Sequence, residues 1–201
     1  MNVPESRIHT MRRYTLPLAV LLLTSGCGYN TIQKYDETVN AAKNQIEVQL
    51  QRRADLIPNL VATVKGYAQH EEDVFTQVAQ ARAGVLGAVQ KGDPREMANA
   101  NDQLTTALGR LMVVAEAYPQ LKADQNFLKL QDELTGTENR IAVSRTDYNN
   151  AVQTYNTYIR TLPQSITAKV TGAKQRDYFE VTNPGALEAP TVDFSKPAEK
   201  K

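Results

Sequence analysis

Tryptophan is absent, cysteine occurs once and histidine twice in 201 residues, and these scarcities remove whole classes of function. A single thiol cannot close an internal disulfide, and without a second cysteine or a close histidine it has nothing to share a zinc ion with. His70, in Gln69-His70-Glu71-Glu72, lacks the second histidine four residues on that a zincin helix requires, and reads as a surface side chain. No Gly-x-Ser-x-Gly elbow, phosphate loop or dinucleotide fingerprint appears. Glu71 and Glu72 are adjacent, so on a helix they point about 100 degrees apart, poor geometry for paired acid and base work on a glycosidic bond. Charge of one sign is also lacking: 23 basic residues face 22 acidic ones, and a net charge of +1 gives no field that would gather nucleic acid or an anionic bilayer, leaving only a local basic patch open. No cofactor and no metal are implied, and the chain reads as non-enzymatic.

What the sequence does hold is a cysteine in a telling place. Arg12 and Arg13 precede the apolar run Tyr14 to Leu23, then small residues, then Cys27: the order of a bacterial export signal. Leu23-Thr24-Ser25-Gly26-Cys27 resembles a lipobox, in which cleavage before the cysteine accompanies acylation of its sulfur. Thr24 stands where leucine is usual, with Leu23 one place early. The competing reading is a signal-anchor helix, but the apolar run falls well short of the ~20 residues a bilayer-spanning helix needs. Residues 1–26 are thus read as a lipoprotein signal peptide, with Met11 as the expected true start. Acyl chains on Cys27 would each contribute about 0.8 kcal/mol per buried methylene, and several together would hold the mature chain on a membrane as a periplasm-facing lipoprotein. Gly28 follows the cysteine in place of the aspartate that retains Gram-negative lipoproteins at the inner membrane, so the expected address is the periplasmic face of the outer membrane.

About 175 residues follow the cleavage point, enough for one ordinary domain. Long stretches without glycine or proline favour helices. Ile32, Tyr35, Val39, Ala42, Ile46 and Gln49 or Leu50 recur at steps of three and four, predicting a first helix from Thr31 to Arg53. A second is predicted on to about Val89, with Pro58 between them. Proline removes a backbone donor and collides with the preceding turn, so the axis must kink or break near Leu56, which leaves open one kinked rod or two helices. Lys91-Gly92 ends a helix and Asp93-Pro94-Arg95-Glu96 starts the next, with Asp93 as N-cap and Glu96 closing a capping box. Met97, Asn101, Leu104, Leu108, Leu111, Ala115 and Tyr118 then keep heptad steps to Pro119. The last long helix carries Phe127, Leu134, Thr137, Ile141, Tyr148, Val152, Tyr155 and Ile159 and ends at Pro163, with a further helical turn near Ser165 to Gly172. Short connections force neighbours antiparallel, so the expected fold is all-α: an elongated antiparallel up-and-down four-helix bundle over 27–180, followed by a flexible tail over 181–201. An open coiled coil that dimerises is the competing architecture, and it keeps self-association among the expectations.

Three stretches are more specific than a bundle requires: Gln45-Ile46-Glu47-Val48-Gln49-Leu50-Gln51-Arg52-Arg53-Ala54-Asp55-Leu56-Ile57-Pro58-Asn59-Leu60, then Val114-Ala115-Glu116-Ala117-Tyr118-Pro119-Gln120-Leu121, and Asn126-Phe127-Leu128-Lys129-Leu130-Gln131-Asp132-Glu133-Leu134 with Thr137-Glu138-Asn139-Arg140-Ile141. Together they resemble the LemA family of bacterial envelope proteins, from Tyr29 to about Glu180, with Pro190-Thr191-Val192-Asp193-Phe194 similar to a terminal motif of many members. The resemblance implies an antiparallel four-helix bundle tethered at its amino end and no established reaction. Many relatives carry a transmembrane helix where this chain has its lipobox, and Ala54 replaces a polar residue often found there.

The charged members of these stretches, Arg52, Arg53, Asp55, Glu116, Glu138 and Arg140, are expected to pair as an inter-helix polar network that fixes register, because a charge between helices costs several kcal/mol unless it is partnered. The alternative is a polar groove between helices, lined by Arg52, Asp55, Glu116 and Glu138, serving a regulator or enzyme. The expected function is a binding or scaffold module of the cell envelope, held to the membrane by acyl chains on Cys27 and serving an envelope protein partner.

Overall fold

The computed structural model describes the backbone of residues 6–180 and the side chains of residues 28–180. The tail expected over 181–201, with Pro190 to Phe194 inside it, and the side chain of Cys27 lie outside the described residues; of the leader only the helical backbone from Ser6 is described.

The described residues are all-helical: α1 Ser6–Lys65, α2 Glu72–Lys91, α3 Pro94–Glu116, α4 Pro119–Lys122, α5 Gln125–Arg160 and α6 Gln164–Thr171, ending in an irregular segment to Glu180. They divide into two compact units. One joins α1 up to Gln49 with Asn139–Tyr178, and the other comprises Leu50–Glu138.

Of the two alternatives left open at Pro58, the structure has one rod and not two helices. α1 runs unbroken through Pro58 to Lys65, and the chain leaves the helix only at Gly66, where Tyr67 and Ala68 donate back to the Val64 carbonyl at 3.0 and 2.9 Å. The reason is a substitute donor. In a helix the residue at 58 would donate to the carbonyl of Ala54, which proline cannot do. That carbonyl accepts from Arg82 Nε on α2 at 2.8 Å instead.

Other expected boundaries stand where the local chemistry put them. Asp93 accepts from the amides of Arg95 and Glu96 at 2.8 and 3.3 Å, with Pro94 in the first helical turn, which satisfies two of the orphan donors of α3. The other half of the capping box is spent elsewhere, because Glu96 Oε2 takes Lys91 Nζ at 2.8 Å. Pro119 opens the short α4 as well as closing the run before it. Asp124 caps α5 by accepting from the Phe127 amide at 2.9 Å.

Within the Leu50–Glu138 unit, Arg82 reaches Ala54 while Lys65 Nζ stands 5.1 Å over the Phe75 ring, so α2 runs back along α1. Arg110 of α3 meets Gln77 of α2, Tyr67 OH donates to Asp124 at 2.9 Å, and Arg53 meets Glu138, so α5 is also antiparallel to α1 here. Leu50, Ala54, Ile57, Leu60, Val64, Val78, Val85, Met97, Leu104 and Leu111 are fully buried and supply the core.

In the other unit, Arg140 Nε donates to Gln49 at 3.2 Å and the Tyr35 and Tyr158 rings meet edge-on at 5.1 Å, so α1 and α5 are antiparallel there too, around Ile32, Val39, Ile46, Tyr148, Val152 and Tyr155. The segment after α6 is strapped onto this pair. Asn156 exchanges two 2.9 Å hydrogen bonds with the Arg176 backbone, Tyr148 OH donates to the Asp177 carbonyl at 2.8 Å, and Arg176 forks onto Asp36 at 2.8 to 3.0 Å.

Candidate functional site

Polar side chains on a buried helical seam are the places where this fold departs from plain packing. In α1 the positions 46, 50, 53, 57, 60 and 64 alternate steps of four and three, and all are buried. Residue 53 of that series is an arginine, only 4% exposed. Its Nη1 forms an ion pair with Glu138 of α5 and donates to Asn101 Oδ1 of α3 at 2.6 Å, so three helices are pinned at one level. Its Nε is buried and has no hydrogen-bond partner among the described residues. Burial pushes the guanidinium below its usual pKa, opposed by the charges of Glu138 and Asp102 and by the contact with Glu138.

The six expected network residues are distributed differently from one another. Arg53 and Glu138 are brought together. Arg52, one residue away and about 100 degrees round the helix, is exposed. Asp55 is exposed too and accepts from Gln51 at 2.9 Å within its own helix. Arg140 is exposed and bonded to Gln49 in the other unit. Glu116 lies fifteen residues along α3 from Asn101, about 22 Å at 1.5 Å per residue. There it borders a cavity of about 120 Å³ with Met112, Ala115, Lys122, Phe127 and Gln131. Arg52, Asp55, Glu116 and Glu138 therefore do not line one groove.

Asn101, the third member of the Arg53 cluster, was missed as a site residue although it interrupts the heptad series of α3. Thr137, fully buried on α5, is another polar residue on a seam, and its hydroxyl donates to the Leu134 carbonyl at 2.7 Å. The usable signal was a polar residue at an apolar step of the repeat, which singles out 53 over 52 and finds 101 and 137. The arrangement offers one buried cation with a half-exposed carboxylate and an amide, a set suited to holding register. Among the described residues no three His, Cys, Asp or Glu side chains gather as a metal site, and no helix is long and apolar enough to cross a membrane.

Comparison with known proteins adds what geometry alone cannot. A model described as the LemA family matches residues 42–194, a span that begins after Cys27 and includes Pro190 to Phe194. Magnetosome protein MamQ 2 of Paramagnetospirillum magneticum is 29% identical over 188 residues, covering 82% of this chain and 69% of the relative. Magnetosome protein MamQ of Magnetospirillum gryphiswaldense is 28% identical with the same coverage, and protein LemA of Metamycoplasma hominis is 24% identical over 66% of this chain and 59% of its own length.

Proposed function

The chain belongs to the LemA family, and from that membership we propose that it is a membrane-anchored envelope protein whose helices form a binding or scaffold module for a protein partner and catalyse no reaction. The observation that carries the proposal is the order at the amino end: a basic pair, an apolar run, small residues and Cys27, with one helix continuing from that segment into the folded units. In this reading cleavage before Cys27 and acylation of its sulfur hold the mature chain on a membrane, and Gly28 in place of aspartate directs it to the periplasmic face of the outer membrane. On the same reading the four long helical stretches of the Leu50–Glu138 unit, from α1, α2, α3 and α5, are a four-helix bundle, and the Arg53–Glu138–Asn101 cluster sets its register.

Detergent-phase partition and mass spectrometry of the exported protein test the anchor. Wild type is expected in the detergent phase with an acylated amino-terminal Cys27, and Cys27→Ala in the aqueous phase or with its leader retained. A bare thiol in wild-type cells sinks the lipoprotein reading. In-cell crosslinking from exposed positions of α2 and α3 is expected to capture one protein of the envelope reproducibly, and a uniform background would count against the scaffold role.

One observation favours a second reading, a regulator that takes a small ligand: the cavity beside Glu116 and Lys122 combines a carboxylate, an ammonium and the apolar Met112 and Phe127. Glu116→Gln would then abolish a cellular phenotype at an unchanged melting temperature. A phenotype that is unaffected removes it.

A further inference from the structure

Three large apolar side chains stand in water at one end of the unit that contains Gly28: Leu162 is 73% exposed, Ile166 61% and Val170 83%. Ile166 and Val170 are a step of four apart and share one strip of α6, and Leu162 lies in the turn before it. The opposite side is engaged, since Ala168 is buried. A strip this exposed on a domain of this size marks a surface that something covers.

Where the strip sits says what covers it. A Cβ built on Gly28 would stand 3.4 Å from Thr167 Oγ1, so α6 lies directly against the residue that follows Cys27. Consecutive Cα atoms are about 3.8 Å apart, so the backbone of Cys27 lies within one residue of that contact. The charges agree. From residue 160 to 174 the chain has Arg160, Lys169 and Lys174 and no acidic residue, all three cations exposed. Long basic side chains beside an apolar strip are the composition of a helix that lies in a headgroup layer.

We propose that α6 is an interfacial helix that lays Leu162, Ile166 and Val170 into the phospholipid surface to which the chain is anchored, so that the protein touches its membrane at two points and not at the acyl chains alone. This rests on the anchoring reading above.

The absence of tryptophan makes a direct test available in the full chain. Ile166→Trp and Val170→Trp each create a single reporter, and Val143→Trp, at an exposed site on α5, serves as the control. Residue 143 precedes the end of α5 by seventeen residues, about 25 Å. Each full-length protein is returned to vesicles of phosphatidylethanolamine with a minority of phosphatidylglycerol and floated on a density gradient. The expected result is emission from 166 and 170 that shifts to the blue on the vesicles and is quenched by bromine-labelled acyl chains, with neither change at 143. If the protein floats but 166 and 170 emit as the control does, the interfacial contact is overturned and the anchor stands. A blue shift without bromine quenching overturns it in favour of a protein surface, a second copy included. A chain that does not float overturns the contact together with the anchor.

Discussion

Arg53 occupies a position where a cation is costly, and what keeps it charged there is a short inventory of partners. Its ion pair with Glu138 and its hydrogen bond to Asn101 occupy Nη1, while Nε goes unserved. Removing one partner is therefore worse than removing the whole cluster. Glu138→Ala is expected to lower unfolding stability by about 1 to 3 kcal/mol in urea titrations followed by circular dichroism, moderated by the exposure of the carboxylate. The double change Arg53→Met, Glu138→Leu is expected to recover most of that loss. A double variant as unstable as the sum of the single ones would show that the cluster contributes net stability. Asp124 supplies a pH-dependent counterpart. The amide of Phe127 and the hydroxyl of Tyr67 hold its carboxylate below the ordinary value. A depressed carboxylate stabilises the fold above its unfolded pKa, about 3.9, and that stability is lost as pH falls toward the folded value. Melting temperature should thus fall below roughly pH 4 in the wild type and fall less steeply in Asp124→Asn, which keeps an acceptor for the cap but carries no charge. Equal slopes in the two proteins would remove Asp124 from the acid limb.

At the scale of the element, Pro58 shows how a local rule that leaves two outcomes open is decided from a distance. Read alone, Leu56-Ile57-Pro58 demands a kink or break, because the ring removes the donor owed to Ala54. The donor that replaces it sits on Arg82, 28 positions away on α2, and no local pattern announces it. Arg82→Met is expected to cost about 1.5 to 3 kcal/mol in the wild-type background, the range of a hydrogen bond from a charged group. In a Pro58→Ala background the restored amide serves Ala54, so the same change should cost far less. Thermal unfolding of the four proteins measures the coupling, and additive effects would mean that Arg82 does not replace the missing donor. The start of α3 was legible for the opposite reason: Asp93 and Pro94 act on amides two and three residues away, so cap and helix are written in adjacent letters. Glu96 was read only in part, since Lys91, across the turn, competes for its carboxylate. The site followed the same division. Heptad phase separates Arg53 from Arg52 and marks Asn101, but which carboxylate meets Arg53 depends on how α5 is aligned with α1, and composition does not encode that alignment.

At the scale of the whole molecule, two units share two continuous helices, and their means of stabilisation differ. The Leu50–Glu138 unit surrounds each helix with others, and its apolar seams are closed on several sides. The other unit is a helix pair whose remaining cover is α6 and the strap from Ala173 to Tyr178, tied by Asn156, Tyr148 and the Asp36–Arg176 fork. One partly exposed ion pair and three further hydrogen bonds hold less firmly than closed apolar packing, so sub-global opening should begin there. Helix α5 passes through both, which makes it an internal comparison within one element of uniform backbone geometry. Amide exchange measured by mass spectrometry is expected to be about tenfold faster over Asn139–Arg160 than over Leu130–Glu138, equivalent to about 1.4 kcal/mol less protection. Arg176→Ala should widen that gap by releasing the strap from α1, without altering exchange in α2 or α3. If α5 exchanges uniformly and Arg176→Ala leaves it so, the helix opens as one cooperative body and the boundary at Glu138 carries no energetic meaning. If the gap is found in detergent and closes when the full-length protein is returned to vesicles, the ordering of the strapped unit is coupled to the proposed membrane contact of α6. That coupling would make the helix pair the part of the molecule whose stability reports attachment.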